Sequence, residues 1–222
     1  MKNKNILEFL SVWFHMMYFF FIKKIINLYA FNYAKTPIIY GKLFVRGKNG
    51  SIEILGSSRL KFLGNIKVIF DDIENVGLLK IYSNCIVENG VSLSPRGGSI
   101  VIDENVFIGP NVLIQAYKNA NIFIGKNVMI AKDTSILSTN HIVHNPLEGY
   151  RNESGLPVTI EDDVWIGSNC IITSGVSIGK FSVIGASSVV TKNIPKYCMA
   201  VGNPAKIIKR FDLNEQKWVK YE

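Results

Sequence analysis

A period of six residues organises the apolar and polar positions along most of the chain. From residue 160 onward it divides the sequence into units that each open with an aliphatic residue: Ile160, Ile166, Ile172, Ile178, Ile184 and Val190. A small or short residue is common in second place, and a β-branched or small residue is usual in fifth. This period is neither the 3.6 of an α-helix nor the two-residue alternation of a strand. It predicts short strands separated by sharp corners, with each aliphatic side chain pointing inward.

The same pattern continues towards the N-terminus in sets of three units. Two sets are clear, and they open at Ile124, Ile130 and Ile136 and at Ile102, Ile108 and Ile114. Two weaker sets open at Leu79, Cys85 and Val91 and at Ile54, Leu60 and Ile66. Three units make one triangular coil, and stacked coils form a parallel β-solenoid in which each coil completes the core of its neighbour.

Residues in excess of the period follow complete sets of three, so every insertion is predicted to leave from the same corner of the prism. The largest insertion separates Ile136 from Ile160, and it holds 24 − 6 = 18 residues more than one unit. A long insertion on a regular repeat usually belongs to the working face. We therefore predict a protruding loop at about 137–159 that carries function.

The first residues of the chain depart from the repeat. Residues 6–22 are nearly all apolar or aromatic, and Lys23 and Lys24 follow them. The uncharged part, Phe9 to Ile22, is shorter than the roughly 20 residues of a spanning helix, and no small-residue cleavage site follows it. The run fits an interfacial helix at a membrane surface or a helix packed on another subunit. Its aromatic residues beside a lysine pair favour membrane contact.

Three segments follow from these patterns. Residues 1–35 form an apolar, membrane-associating segment that we expect to be helical. Residues 36–205 form the repeat domain, and residues 206–222 form a C-terminal tail.

Composition limits the function classes further. The chain has 222 residues, of which 48% are hydrophobic and 19% charged, which excludes a disordered or collagen-like protein. The net charge of +8 favours anionic partners such as a phosphorylated cofactor or anionic lipid. We find no nucleic-acid recognition motif and expect no nucleic-acid partner. The three cysteines show no CxxC spacing, so they fit neither a disulfide framework nor a zinc site and indicate a reducing compartment.

Three motifs add to the repeat. They are Ser138-Thr-Asn-His141 at the end of a coil, Val164-Trp-Ile-Gly-Ser168, and the ending Val189-Val-Thr-Lys-Asn-Ile-Pro195 with Val201-Gly-Asn-Pro-Ala-Lys206. Together they closely resemble the hexapeptide-repeat acyltransferases, and most of all the sugar and polysaccharide O-acetyltransferases related to galactoside and maltose acetyltransferases. The resemblance is strong over residues 100–210 and loose over 40–99.

The resemblance implies an all-β fold, a left-handed parallel β-helix, and the apolar run adds an N-terminal helix before it. The usual handedness of parallel crossovers would give the opposite hand. It also implies acetyl-CoA as the acyl donor and a homotrimer whose active sites lie between subunits.

The resemblance assigns His141 the role of catalytic base. An alcohol is a weak nucleophile at neutral pH, and histidine has the unperturbed pKa that suits removal of its proton. His144 either hydrogen-bonds the acceptor or orients the loop. The third histidine, His15, lies in the apolar run, so we predict no metal site.

The resemblance also places the donor. It puts CoA contacts at Trp165, Ser168, Ala186, Thr191, Lys192, Lys206 and Lys209, and Gly185 joins the small residues that line the groove. Lysines suit phosphates as mobile point charges. Tight corner geometry explains the glycines and serines at least as well. Asn111 lies two places from the position expected for an asparagine near the base, so the oxyanion and orienting groups stay unassigned.

The expected function is acetyl-CoA-dependent O-acetylation of a sugar hydroxyl in cell-envelope polysaccharide or lipid-linked glycan synthesis, at the cytoplasmic face of the membrane. Three alternatives stay open at this point: N-acetylation of a nucleotide-linked amino sugar, acetylation of a xenobiotic, and a non-catalytic β-helical scaffold.

Overall fold

A computed structural model describes residues 31–33, 38–40, 43–47, 50–55, 61–70, 75–142 and 152–221 of the chain. Every regular element in these ranges is a β-strand. The predicted N-terminal helix lies outside the described residues. Within the described ranges, no helix has the length and apolar character needed to cross a membrane.

The described strands form three main sheets. Sheet A contains β1 (Phe31–Tyr33), β4 (Gly50–Ile54), β7 (Gly77–Ile81), β10 (Ser99–Ile102), β13 (Ile122–Ile124), β18 (Val158–Ile160) and β21 (Ser177–Ile178). Sheet B contains β2 (Ile38–Tyr40), β5 (Lys61–Leu63), β8 (Ile86–Val87), β11 (Phe107–Ile108), β14 (Met129–Ile130), β19 (Trp165–Ile166), β22 (Val183–Ile184), β24 (Cys198–Val201), β25 (Lys206–Asp212) and β26 (Lys217–Lys220). Sheet C contains β3 (Leu43–Gly47), β6 (Ile66–Phe70), β9 (Ser92–Arg96), β12 (Leu113–Tyr117), β15 (Ser135–Leu137), β20 (Ile171–Ile172) and β23 (Val189–Val190).

The chain visits sheets A, B and C in turn, and each strand of the coils pairs in parallel with the equivalent strand one coil away. This topology is a triangular solenoid, the left-handed parallel β-helix predicted from the motifs. A fourth, two-stranded antiparallel sheet joins β16 (Thr139–Ile142) and β17 (Asn152–Gly155).

Aliphatic side chains stack through the interior along each sheet. On sheet A one such row contains Ile81, Ile102, Ile124, Ile160 and Ile178, all fully buried and in register. A coil of this kind has no core of its own, so each row is stable because the coils above and below cover it.

The register of the earlier coils differs from the sequence prediction by two residues. Ile81 pairs with Ile102, whereas Leu79 pairs with Ile100. Both Leu79 and Ile81 are buried, because residues two apart on a strand share one face. Each of these strands therefore has two inward-facing aliphatic residues, and the sequence does not show which of the two aligns with Ile102.

The insertions leave from the corner between sheets C and A, which we call the insertion corner. The connections β6–β7, β9–β10, β12–β13 and β15–β18 all pass it, as the repeat predicted. The last connection carries β16 and β17, and residues 143–151 between these strands lie outside the described part.

Tight turns form the corner between sheets B and C, which we call the B–C corner. At the same place in successive coils, Asn111, Asp133, Asn169 and Ser187 have φ angles of 59° to 60°. Short polar side chains tolerate this left-handed conformation better than most residues because they hydrogen-bond locally. The B–C corner therefore turns within a few residues and admits no insertion.

The segment predicted as a C-terminal tail forms regular structure. β25 pairs antiparallel with β24, and β26 pairs antiparallel with β25, so both strands extend sheet B beyond the last coil. We call β25 and β26 the terminal hairpin.

Candidate functional site

His141 lies on a hairpin that projects from the insertion corner, and we call this hairpin of β16 and β17 the arm. The two strands pair antiparallel, with His141 opposite Glu153 in the register. The His141 side chain is exposed, and its backbone N–H donates a hydrogen bond to Asn140 Oδ1 at 2.8 Å. The structure thus places an imidazole in solvent on a short two-stranded element, where an acceptor molecule can reach it.

Ser138 fixes the base of this arm. Its Oγ donates to the Ala120 carbonyl at 2.7 Å and accepts from the Tyr117 N–H at 3.0 Å, both on the preceding coil. Its own carbonyl accepts from Ser174 Oγ at 2.8 Å, on the following coil, and from the Leu156 N–H at 3.1 Å. Ser138 is fully buried, so these bonds hold three successive turns of the chain at the base of the arm.

Gly155 lets the returning strand pass this base closely. A Cβ at this position would lie 2.7 Å from both Ala120 Cβ and the Ser138 carbonyl oxygen, which is too close for any other residue without movement. The first strand of the arm therefore follows a buried serine directly, and the second ends at a glycine packed against that serine.

Small residues stack at the B–C corner, where the sequence predicted the CoA groove. The Ser187 N–H donates to the Ser168 carbonyl at 2.8 Å, and a Cβ on Gly167 would lie 2.6 Å from the Ala186 nitrogen. Ser168 and Ala186 therefore occupy equivalent places in adjacent coils, about 4.8 Å apart. Gly185 lies beside them and faces Val201 of the next coil.

The terminal hairpin brings Lys206 to the same corner, because Lys206 pairs with Val201. Lys209 pairs with Met199. Trp165 is 54% exposed on the outer face of sheet B, in register with Met129 and Val183. Trp165 and Lys209 thus lie on one sheet face, next to the B–C corner.

Thr191 and Lys192 lie at the other edge of sheet C. They follow β23 at the insertion corner as Thr173 and Ser174 follow β20, and both are exposed. The predicted residues thus form two groups separated by the width of sheet C. His141, Thr191 and Lys192 are at the insertion corner, and Ser168, Gly185, Ala186 and Lys206 are at the B–C corner. His144 lies outside the described residues.

The cysteines of the chain are buried. Cys85, Cys170 and Cys198 are free thiols with almost no exposed surface. Burial raises the pKa of Cys85 to about 11 and also raises the pKa of Cys170 and Cys198, so all three remain protonated at neutral pH. In the part of the chain that the structure describes, no cluster of three His, Cys, Asp or Glu residues is placed to hold a metal.

The sequence motifs did not indicate two residues at the base of the arm. Ser174 and Gly155 both hold the base of the arm, yet each fits the general preference of solenoid corners for small residues. A weak signal exists for Ser174, which stands one coil after Ser138 in the same place of the repeat.

Known proteins share the repeat and the fold. Residues 157–192 match the family model described as the hexapeptide repeat of succinyl-transferase. The galactoside O-acetyltransferase of Escherichia coli K12 is 39% identical over 114 residues, which are 51% of this chain and 48% of that protein. The resemblance to the hexapeptide-repeat acyltransferases is confirmed. The chain spans 44% to 63% of the first curated relatives it matches.

Two solved structures resemble this chain over most of its length. The polySia-specific acetyltransferase NeuO has 27% sequence identity and a TM-score of 0.56, and the likeness covers 81% of this chain and 87% of NeuO. A mutant of AntD, an N-acyltransferase from Bacillus cereus in complex with dTDP and coenzyme A, has 19% identity and a TM-score of 0.54. The likeness covers 78% of this chain and 86% of AntD, and at that identity it shows the fold alone.

Proposed function

We propose that this protein is an acetyl-CoA-dependent O-acetyltransferase that acetylates a hydroxyl group of a sugar. The observation that carries the proposal is His141, exposed on an arm whose base is fixed by Ser138. Two of the relatives support it by name, since one is a galactoside O-acetyltransferase and another is an acetyltransferase specific for polySia.

The proposed acetyl transfer requires one group that accepts a proton from the acceptor hydroxyl and then donates it to the leaving thiolate. The His141 imidazole accepts the proton of the acceptor hydroxyl as that oxygen attacks the thioester carbonyl of acetyl-CoA. The tetrahedral intermediate then collapses, the carbon–sulfur bond breaks, and the leaving CoA thiolate takes the proton from the imidazolium. The acetyl group passes directly to the sugar, so no covalent enzyme intermediate forms.

Acetyl-CoA, as a substrate, would lie along the B–C corner. Ser168 and Ala186 present only small side chains to an extended pantetheine arm there, and Lys206 and Lys209 lie beyond them on the terminal hairpin. Thr191 and Lys192 would meet the donor from the opposite edge of sheet C.

We place this activity in a homotrimer. The outer face of sheet B supports it with a row of apolar side chains that stand in register across five strands: Phe107, Met129, Trp165, Val183 and Met199. The two groups of site residues lie at different corners of one chain. A second copy packed against the first would bring its histidine arm to the neighbour's CoA groove.

We further propose that the enzyme works on cell-envelope glycans at the cytoplasmic face of a membrane. The apolar N-terminal sequence with Lys23 and Lys24 supports membrane contact, because each lysine near an anionic surface adds about 1 kcal/mol to the burial of apolar side chains. The full chain should float with anionic liposomes, and a chain that lacks residues 1–28 should not. A full chain that stays at the bottom of the gradient while the liposomes float would contradict the membrane role.

An acceptor screen with labelled acetyl-CoA tests the function itself. It should include soluble sugars, membrane glycolipid extracts, nucleotide-linked amino sugars and chloramphenicol. We expect alkali-labile O-acetyl product on a sugar or glycolipid. Alkali-stable N-acetyl product would identify an N-acetyltransferase, and turnover of chloramphenicol alone would identify a xenobiotic enzyme. Failure to bind CoA together with failure to acetylate any acceptor would indicate a scaffold.

A further inference from the structure

Two lysines face each other across the terminal hairpin. Lys209 of β25 stands directly opposite Lys220 of β26 in the antiparallel register. The neighbouring Tyr221 N–H donates to the Ile208 carbonyl at 3.0 Å, so Ile208 and Tyr221 form a hydrogen-bonded pair. Because the two kinds of pair alternate along an antiparallel ladder, Lys209 and Lys220 form a non-hydrogen-bonded pair, the kind with the shorter Cα separation of about 4.5 Å.

This arrangement costs stability unless an anion lies between the two side chains. Like charges directly opposite each other on a sheet repel. Both lysines are exposed, and among the described residues neither forms an ion pair. Among the described residues, the carboxylates of the hairpin are engaged elsewhere, since Asp212 Oδ1 accepts from two backbone N–H groups of the turn and Glu215 pairs with Lys217.

Contacts on either side of the lysine pair keep the two strands of the hairpin together despite the repulsion. The next pair along the same face is Phe211 and Trp218, whose rings meet edge to face at 5.5 Å. On its other side Lys209 pairs with Met199 of the last solenoid strand, which offers no charge. Two ammonium groups thus project from a braced surface that continues sheet B from the proposed CoA groove.

We propose that Lys209 and Lys220 together bind a phosphate group, and that this group is the 3′-phosphate of CoA. The identity of the nucleotide rests on the proposed function, whereas the phosphate chemistry rests on the lysine pair itself. A phosphomonoester carries close to two negative charges at neutral pH and offers three acceptor oxygens, so it can neutralise both ammonium groups at once. This adds Lys220 to the donor-binding residues, a position that no motif in the sequence indicates.

The test compares CoA with dephospho-CoA, which lacks the 3′-phosphate. Calorimetric affinities are measured for the full-length protein and for Lys209→Ala, Lys220→Ala and the double variant, with Lys217→Ala as a control on the same strand. We expect each single change to weaken CoA binding roughly tenfold and to leave dephospho-CoA binding within about twofold. We also expect Lys220→Ala to keep or raise the melting temperature, because the repulsion is removed, whereas a structural lysine would lower it when replaced.

The other outcomes separate the possible explanations. Equal losses for both ligands, or no loss for either, would overturn the proposal. Anionic phosphate could also come from lipid, so vesicles that contain phosphatidic acid form a second arm. Loss of vesicle binding with unchanged CoA affinity would also overturn the assignment. Adenosine 3′,5′-bisphosphate forms a third arm. If it binds through the lysine pair while no acceptor is acetylated, the phosphate site stands and the proposed transferase activity fails.

Discussion

At the scale of single residues, the site divides its tasks between exposed and buried side chains. His141 is exposed and stands on the arm, where the acceptor and donor can reach it. Ser138, three residues earlier, is fully buried and makes the hydrogen bonds that fix the arm. One motif of four residues therefore supplies both the proposed catalytic base and the contact that fixes the arm carrying it.

Replacement of His141 by alanine should remove the base and leave the solenoid intact. We expect turnover to fall by roughly 10² to 10⁴, the usual contribution of a positioned base. Acetyl-CoA affinity should stay unchanged, because the B–C corner is untouched. Steady-state kinetics and calorimetry measure the two effects, and near-normal transfer by this variant would rule out the assigned mechanism.

Replacement of Ser138 by alanine should destabilise the fold at the base of the arm. The change leaves the Tyr117 N–H without its buried acceptor and removes the hydroxyl that donates to the Ala120 carbonyl, at a cost of about 1–3 kcal/mol. Urea unfolding measures the loss. Ser135→Ala is the matched control, since Ser135 is half-exposed on the strand just before, and it should change stability by less than about 0.5 kcal/mol.

At the scale of elements, the corners of the solenoid differ in the side chains that link adjacent coils. The corner between sheets A and B carries a ladder of charges, in which Lys126 pairs with Glu104 at 3.1 Å and Lys180 with Asp162 at 3.3 Å. The Lys126 backbone N–H also donates to Asp162 Oδ1 at 3.0 Å. This ladder links adjacent coils by side chains, in addition to backbone hydrogen bonds at the same corner such as that from the Asp163 N–H to the Lys126 carbonyl at 2.8 Å.

The ladder should make stability depend on pH in the acid range. The hydrogen bond from the Lys126 backbone and the nearby Lys180 ammonium hold the pKa of Asp162 below its usual 3.8. A lowered pKa means that the unfolded chain takes up the proton first, so this contribution is present above about pH 4 and is lost as the pH falls through the folded value. Asp162→Asn should therefore reduce stability near neutral pH and reduce it less at about pH 2. Urea unfolding at both pH values checks this, and an equal deficit at both would contradict it.

The repeat was predictable from sequence where each six-residue unit opens with a clear aliphatic residue. From Ile102 onward the aliphatic positions fall in register as the period indicates. The arm and the terminal hairpin were not predictable as strands, because their sequences lack both the period of six and a strict alternation. In the site, motifs indicated His141 and the residues of the B–C corner. Lys220 depends on a cross-strand register that only the folded chain reveals.

At the scale of the whole molecule, the outer face of sheet B is the candidate surface for contact between subunits. The outer row of sheet B is apolar, and Met129 and Trp165 are each about half exposed, at 52% and 54%. Large contiguous apolar patches on soluble proteins usually mark an interface. The same face adjoins the proposed CoA groove, so assembly and donor binding would be coupled.

A charge placed in this row should disrupt the proposed trimer. Met129→Lys adds an ammonium within the apolar row without a change in the core, because the Met129 side chain points outward. We expect light scattering to show dissociation and transfer activity to fall with it. Lys132→Glu, on the exposed B–C corner, serves as the control. A Met129→Lys protein with unchanged mass would place the subunit contact on another face.

The stacking of coils also bears on how quickly the chain folds. Parallel partners such as Ile160 and Ile178 are 18 residues apart, and Ile102 and Ile124 are 22 apart. Relative to the chain length these separations correspond to a contact order of about 0.1, in the range of helical bundles and well below that of most all-β proteins. The exceptions are the pairings across the arm, such as Ile124 with Ile160 and Ile136 with Ile172, which span 36 residues because the arm intervenes. Doubling a loop costs only about 0.6 kcal/mol of closure entropy, so the arm adds a modest kinetic step between two blocks of rapidly propagating coils.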